Sequence, residues 1–240
     1  MIKKIIILSL CLLISVGVLA QAKRRQESKP TEDYLVGRFE DNLFLSVGVG
    51  AQTYITEYYN IGSITDHFSP AIDLSLGKWF SPVLGLRLQA STSNARGYNL
   101  LGTPYIDPNQ IVNDVYKMDF RYLNLHIDIL FNLHSQFFDY NPYRFYELIP
   151  YFGMGWFAIL KDRIADNEYA ANAGIINQFR VSDRLIINFE FKALFLRSAI
   201  DGNNASRLSI PSSATVGVSY KFGYFTEFLS SKSRRFYYSK

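Results

Sequence analysis

His126 and Asp128, two residues apart on one alternating segment, have the types and spacing for a base with its orienting carboxylate, or for two metal ligands. Asp66, His67 and Ser69 offer a carboxylate, a histidine and a hydroxyl close together, the parts of a hydrolytic centre. Gly48-x-Gly50 and Gly153-x-Gly155 have the look of phosphate cradles. No helix follows either pair to receive a phosphate, so bare backbone making room for neighbours accounts for them better. What each set can do depends on the elements that carry it.

Those elements are strands. From Tyr122 to His134 the odd positions Leu123, Leu125, Ile127, Ile129, Phe131 and Leu133 are apolar, and the even positions include Asn124, His126, Asp128, Asn132 and His134. Period-two alternation marks a strand with two different faces. The same pattern recurs over Leu43 to Ile55, Ile72 to Lys78, Leu84 to Ala95, Ile149 to Leu160, Ala171 to Val181, Leu185 to Leu196 and Ala214 to Tyr224. Eight segments of mostly about 10–13 residues, tilted near 45°, each span about 25–30 Å, the thickness of a hydrocarbon layer. The turns at Phe80–Val83 and Val181–Arg184 are short, whereas Tyr58–Phe68, Asn94–Val115, Lys161–Ala170 and Arg197–Ser212 are expected as long polar loops. The Ser135–Glu147 connection, with Phe137, Phe138, Tyr140, Tyr143, Phe145 and Tyr146, is expected to form part of an aromatic girdle at a membrane interface; the rival is a turn packed beneath the barrel.

Alternation alone does not say which face is wet; side-chain size does. The polar faces carry Gly, Ser, Asn and Gln with isolated charges, which suit a crowded lumen. The apolar faces carry rows of Leu, Ile and Phe, more bulk than that lumen could hold. The reading is an all-β fold: a closed, eight-stranded, antiparallel up-and-down transmembrane β-barrel. An open edge in lipid would strand backbone groups at several kcal/mol each, so the sheet must close.

Composition agrees. Apolar residues make up 48% of the 240, too many for a mostly disordered chain. No apolar run of helical membrane-span length occurs outside the N-terminus. Residues 1–22 read as a signal peptide, with Lys3 and Lys4, an apolar stretch to Leu19, and Ala20-Gln21-Ala22. Cys11 is the only cysteine and leaves with the signal, so no disulfide or thiolate site is expected. Removing Lys3 and Lys4 reduces 25 basic residues to 23 against 21 acidic, near enough to balance to give no argument for nucleic acid. Residues 23–41 are expected as a mobile periplasmic lead-in, 42–224 as the barrel and 225–240 as a basic, aromatic tail.

Several segments resemble a known family. Leu43 to Val49, Ser69-Pro70-Ala71-Ile72-Asp73, Gly77-Lys78-Trp79-Phe80-Ser81-Pro82 and Leu84-Gly85-Leu86-Arg87-Leu88 are similar to the start of an OmpA-like outer-membrane barrel. Asn124 to Asp128, Leu130 to Leu133, Tyr140-Asn141-Pro142 and Ile149 to Trp156 continue the likeness, in order, to about residue 223. Tyr220-Lys221-Phe222 resembles the terminal-strand signal read by the barrel-assembly machinery. The resemblance implies a Gram-negative outer membrane, periplasmic termini, and lipid partners that include lipopolysaccharide. It covers the barrel only; the C-terminal peptidoglycan-binding domain of full-length members has no counterpart before Lys240.

Inward parity places Asp73, Arg87, His126, Asp128, Arg180, Glu190, Lys192 and Lys221 in the lumen, where mutual pairing is expected, because a buried charge without a partner is costly. That polar network is read as structural, with no catalytic, cofactor or metal site. The expected function is structural or interactional: envelope integrity, presentation of surface loops, and a periplasmic or cell-wall contact through the tail. The alternatives are a narrow, porin-like small-solute pore and an outer-membrane lipid-modifying enzyme, the latter using His67 as its rim histidine.

Overall fold

The computed structural model describes residues 42–55, 67–99, 106–112, 115–138, 141, 143–161, 163–196 and 210–222. The expectations for residues 1–41 and 225–240, and for Asp66, fall outside them. The strands are β1 (Leu43–Ile55), β2 (Phe68–Trp79), β3 (Leu84–Asn99), β4 (Ile106–Val112), β5 (Val115–Phe131), β6 (Tyr146–Lys161), β7 (Arg163–Arg180), β8 (Leu185–Leu196) and β9 (Ile210–Lys221). One short helix, α1 (Leu133–Phe137), joins β5 to β6.

The wall closes with eight strands. β1 pairs with β9, and β3 passes over β4 to pair with β5 from Leu84↔Phe131 to Asn99↔Tyr116. Every ladder is antiparallel, so among the described strands the lipid-spanning backbone has no free edge. β4 hangs on β5 alone.

Alternation became geometry as expected. Burial alternates along β2 and β8 almost without interruption. Ile127 and Ile129 are 59% and 56% exposed, while His126 and Asp128 between and beside them are 1% and 0% exposed. Leu, Val, Ile and Phe coat the outside, which in a transmembrane barrel faces acyl chains.

Strand lengths depart from expectation at the loop end. β6 and β7 run through the expected Lys161–Ala170 loop with only Asp162 between them. β3 and β5 reach Asn99 and Val115, and β4 lies inside the expected Asn94–Val115 loop. Above a lipid layer both faces of a hairpin can be polar, so the period-two signal fades while backbone pairing continues. β2 and β6 likewise begin earlier than expected, at Phe68 and Tyr146, and β9 at Ile210.

At the other end the two short turns are alike. Phe80 and Ser81 N–H groups donate to the Leu84 carbonyl, and Val181 and Ser182 to that of Leu185. Ser81 and Ser182 hydroxyls accept from the Leu84 and Leu185 amides at 2.8 and 3.1 Å. The strand expected to reach His134 stops at Phe131, because Asn132 Oδ1 accepts the Ser135 amide at 3.1 Å and caps α1.

That connection packs outside the barrel rather than beneath it. His134 stacks on Phe138 and meets Tyr146 edge-on, and Phe179 links Tyr146, Phe145 and Phe189. Tyr146, Phe179 and Phe189 all have outward parity. Tyr146 Oη donates to Asn177 Oδ1 at 2.7 Å, while Phe137, Phe138, Tyr143 and Phe145 stay exposed, an amphipathic band of the kind membrane interfaces favour.

His134 Nδ1 accepts the Leu148 amide at 3.0 Å, which requires a ring unprotonated at that nitrogen. Partial burial, then the charge of Arg144, hold its pKa below the ordinary 6.5, with Glu147 opposing. A lowered histidine pKa favours the neutral ring when folded, so this contribution is present above pH 6.5 and is lost as pH falls through the lowered value. Thermal midpoints in detergent should therefore fall between pH 7.5 and pH 5, and His134→Phe should remove part of that dependence. An unchanged pH profile in the variant would contradict the assignment.

Candidate functional site: the luminal network

Inward side chains of six strands meet at mid-barrel. Arg87 on β3 donates through Nε to Asp128 Oδ2 on β5 at 2.9 Å, and through both Nη atoms to Glu190 on β8, each at 2.9 Å. Its guanidinium lies 4.4 Å from the ring centroid of Tyr151 on β6, whose hydroxyl donates to Glu190 Oε1 at 2.6 Å. His126 Nδ1 lies 2.6 Å from Asp128 Oδ1; since that carboxylate already serves Arg87 as an acceptor, the histidine is the donor. Lys192 on β8 bridges Asp73 Oδ1 on β2 and Ser91 Oγ on β3, at 2.8 and 2.6 Å. Thr215 on β9 donates to the other Asp73 oxygen at 3.2 Å.

Two inward glycines of β6 make this possible. Gly155 and Gly153 stand opposite His126 and Asp128, and a Cβ on Gly153 would collide with Asp128 Oδ1 and the Ile127 carbonyl. Gly48 differs, since a Cβ there meets Thr215 and Asp73 atoms at 3.6–3.7 Å, ordinary contact. Gly153→Ala should lower stability by about 1–3 kcal/mol. Gly48→Ala should change it little. Urea midpoints in detergent test the pair, and equal midpoints would contradict the packing described.

Of the eight charged or titratable residues expected in the lumen, six form this centre: Asp73, Arg87, His126, Asp128, Glu190 and Lys192. The other two stand apart. Lys221 is buried near the short-turn end, within electrostatic reach of Arg180 and Glu147, and Arg180 is only half-buried at the end of β7. Three carboxylates thus face Arg87, Lys192 and His126. Tyr151, Ser91 and Thr215 also join the centre; they are not among those eight, although inward parity was available to find them.

Polar pairs continue the network to the remaining strands. Asn188 on β8, Ser219 on β9 and Ser46 on β1 form a chain of hydrogen bonds; Asn124 on β5 donates to Asn172 on β7 at 2.7 Å. A cavity of about 20 Å³ lies beside the centre, lined by Ser46, Gly48, Asp73, Gln89, Asn188 and Glu190 among others. That is room for about one water molecule.

Both ends of the lumen are apolar, which the alternation did not foretell. At the loop end, inward Tyr54, Met118, Phe120, Tyr122, Phe157, Ile159, Leu194 and Leu196 pack together. Tyr122 stacks on Phe157 at 4.8 Å and donates to Gln52 Oε1 at 2.6 Å. At the short-turn end Phe44, Leu130, Ile149, Tyr151 and Ile176 pack with Trp79.

His67 does not lie on an accessible rim. It is 2% exposed, edge-on to Tyr98 with ring centroids 5.7 Å apart, and Ser69 is also buried. The early start of β2 carries the inward parity back to His67, which corrects its expected place. Among the described residues no group of three His, Cys, Asp or Glu is disposed to hold a metal ion.

No family model matches the chain. It is 26% identical to Outer membrane protein 40 of Porphyromonas gingivalis (strain ATCC BAA-308 / W83) over 192 residues, 76% of this chain and 47% of that protein. Outer membrane protein 41 of the same strain is 25% identical over 160 residues, 63% and 37% of the two chains. The chain therefore spans about half, or less, of the curated relatives it matches. Among solved structures, OprG of Pseudomonas aeruginosa superposes with TM-score 0.49 at 10% identity, covering 76% of this chain and 97% of that one. Neisserial surface protein A superposes with TM-score 0.44 at 10% identity, covering 76% and 98%. With a closed eight-stranded wall, an apolar exterior and outer-membrane proteins as its relatives, the chain is an outer-membrane β-barrel protein.

Proposed function

We propose that this barrel is a non-conducting, non-catalytic component of the Gram-negative outer membrane that supports envelope integrity and presents its loop end to the outside. The observation that carries the reading is the filled lumen: a buried ion network at its centre and an apolar cluster on either side of it. His126 and Asp128 are committed to Arg87 and to each other inside that packing, so their role is to tie strands together. β1 begins and β9 ends at the short-turn end, which this reading places in the periplasm. There the terminal strand meets the barrel-assembly machinery, and the tail can reach a periplasmic or cell-wall partner.

Full-length protein in planar bilayers tests the reading. The expected result is a flat current trace at 100 mV. Discrete openings in the wild-type barrel would favour the small-solute pore instead, and release of acyl chains from lipid A or phospholipid would favour the lipid-modifying enzyme.

A further inference from the structure

The outward faces of β3 and β5 change character toward the loop end. β5 presents Phe131, Ile129, Ile127, Leu125 and Leu123 in turn, and β3 presents Leu84, Leu86, Leu88, Ala90 and Thr92 beside them. The next cross-strand pairs are Asn94↔Arg121 and Arg96↔Asp119. Ten residues of β5 separate Phe131 from Arg121, which at about 3.3 Å per residue and a tilt near 40° is about 25 Å of height, that of the apolar band of an outer-membrane barrel. Arg96 and Arg121 therefore stand at headgroup height.

Both guanidinium groups are held from behind. Arg96 Nε donates to Asp119 Oδ2 at 3.1 Å, and Arg121 Nε donates to Asn94 Oδ1 at 3.4 Å. Asn94 Nδ2 donates in turn to Asp119 Oδ1 at 3.4 Å, linking the two supports. Among the described residues no acceptor takes a hydrogen bond from the Nη atoms of either arginine, so within that set each planar fork points outward on the lipid-facing surface without a protein partner. A planar fork matches phosphate oxygens two at a time. Asp119 is the one acid of the set, so the cluster is net positive. Lys117, farther out, faces Asp107 across the β4–β5 ladder and is left out of this balance.

We propose that Arg96 and Arg121 form a clamp for a phosphate-bearing lipid headgroup seated against β3 and β5 at the loop end. The inference rests on the proposed orientation, in which the loop end lies in the outer leaflet, and it adds to that reading a named lipid contact. Arginine pairs positioned by neighbours lose little freedom on binding, and the contact weakens with salt because it is exposed.

The test is a titration of full-length protein in dodecylmaltoside micelles with diphosphorylated lipid A, with its dephosphorylated form and with phosphatidylcholine. The wild type should prefer diphosphorylated lipid A, and the double variant Arg96→Ser/Arg121→Ser should bind it about tenfold more weakly or worse. The single Arg121→Ser variant should fall between. Arg184→Ser, at the opposite rim, should bind as the wild type does. Heat-modifiable gel mobility reports that each variant is folded. Equal lipid A affinity in the double variant and the wild type, or a preference that survives removal of the phosphates, would overturn the clamp. Conductance or lipid hydrolysis by the wild type would instead overturn the functional reading, so the two failures are distinguishable.

Discussion

Arg87→Met should destabilise the barrel by about 3–5 kcal/mol, because it leaves Asp128 and Glu190 buried without their shared cation. Arg87 is 3% exposed and Asp128 0%, so bulk water does not take over the role of the lost cation. Glu190→Leu should also destabilise the barrel, but by less, because it removes the acceptor of both Arg87 Nη atoms and of Tyr151 Oη while Asp128 still pairs with Arg87. The loss belongs to the unpaired charge, so removing all three charges together should be milder than the sum of the single changes. The triple variant Arg87→Met/Asp128→Leu/Glu190→Leu should recover a large part of the stability lost in Arg87→Met. Urea unfolding in lipid vesicles, followed by tryptophan fluorescence, measures the series. If the triple variant were less stable than the sum of the single changes, the network would hold more than paired charges.

Phe157→Ala should cost about 3–5 kcal/mol, the usual price of a large cavity in a packed core. Phe157 is 0% exposed, stacked on Tyr122 and opposite Asn124 in the β5–β6 ladder. The same variant should remain non-conducting, because the ion network and the short-turn cluster still fill the lumen below it. A steady current through Phe157→Ala, with the barrel folded, would show that the loop-end cluster alone closes the path. The two readouts separate packing from gating.

Much of the wall was legible in the residues. β1 and β8 run over the spans the alternation indicates, Leu43–Ile55 and Leu185–Leu196, because mid-membrane segments must keep one apolar face and one small polar face. The same rule put His126 and Asp128 inside and explained the inward glycines of β6. Alternation fails where its cause fails. Past the lipid boundary both faces can be polar, so the β6–β7 hairpin and β4 read as loops. Near the lumen ends both faces can be apolar, so a polar row on the inward parity of β5 gives no sign that Tyr122 and Leu130 belong to two clusters. Partners within the lumen were not legible either. Parity says that Arg87 and Glu190 share an interior, but only the register and shear of the closed wall bring residues 103 positions apart within 2.9 Å. Arg180 and Lys221 have the expected parity, yet lie too close to the short-turn end to join the centre.

The most direct measurement is a single-cysteine scan along β5 from Tyr122 to Phe131, in a chain whose one native cysteine is Cys11. Probes at Leu123, Leu125, Ile127 and Ile129 should be quenched by brominated lipid, while cysteines at Asn124, His126 and Asp128 should react slowly with small water-soluble thiol reagents in every folded variant. Rapid aqueous labelling at those even positions would reveal an open lumen, and lipid-insensitive odd positions would mean that the apolar face does not meet the membrane.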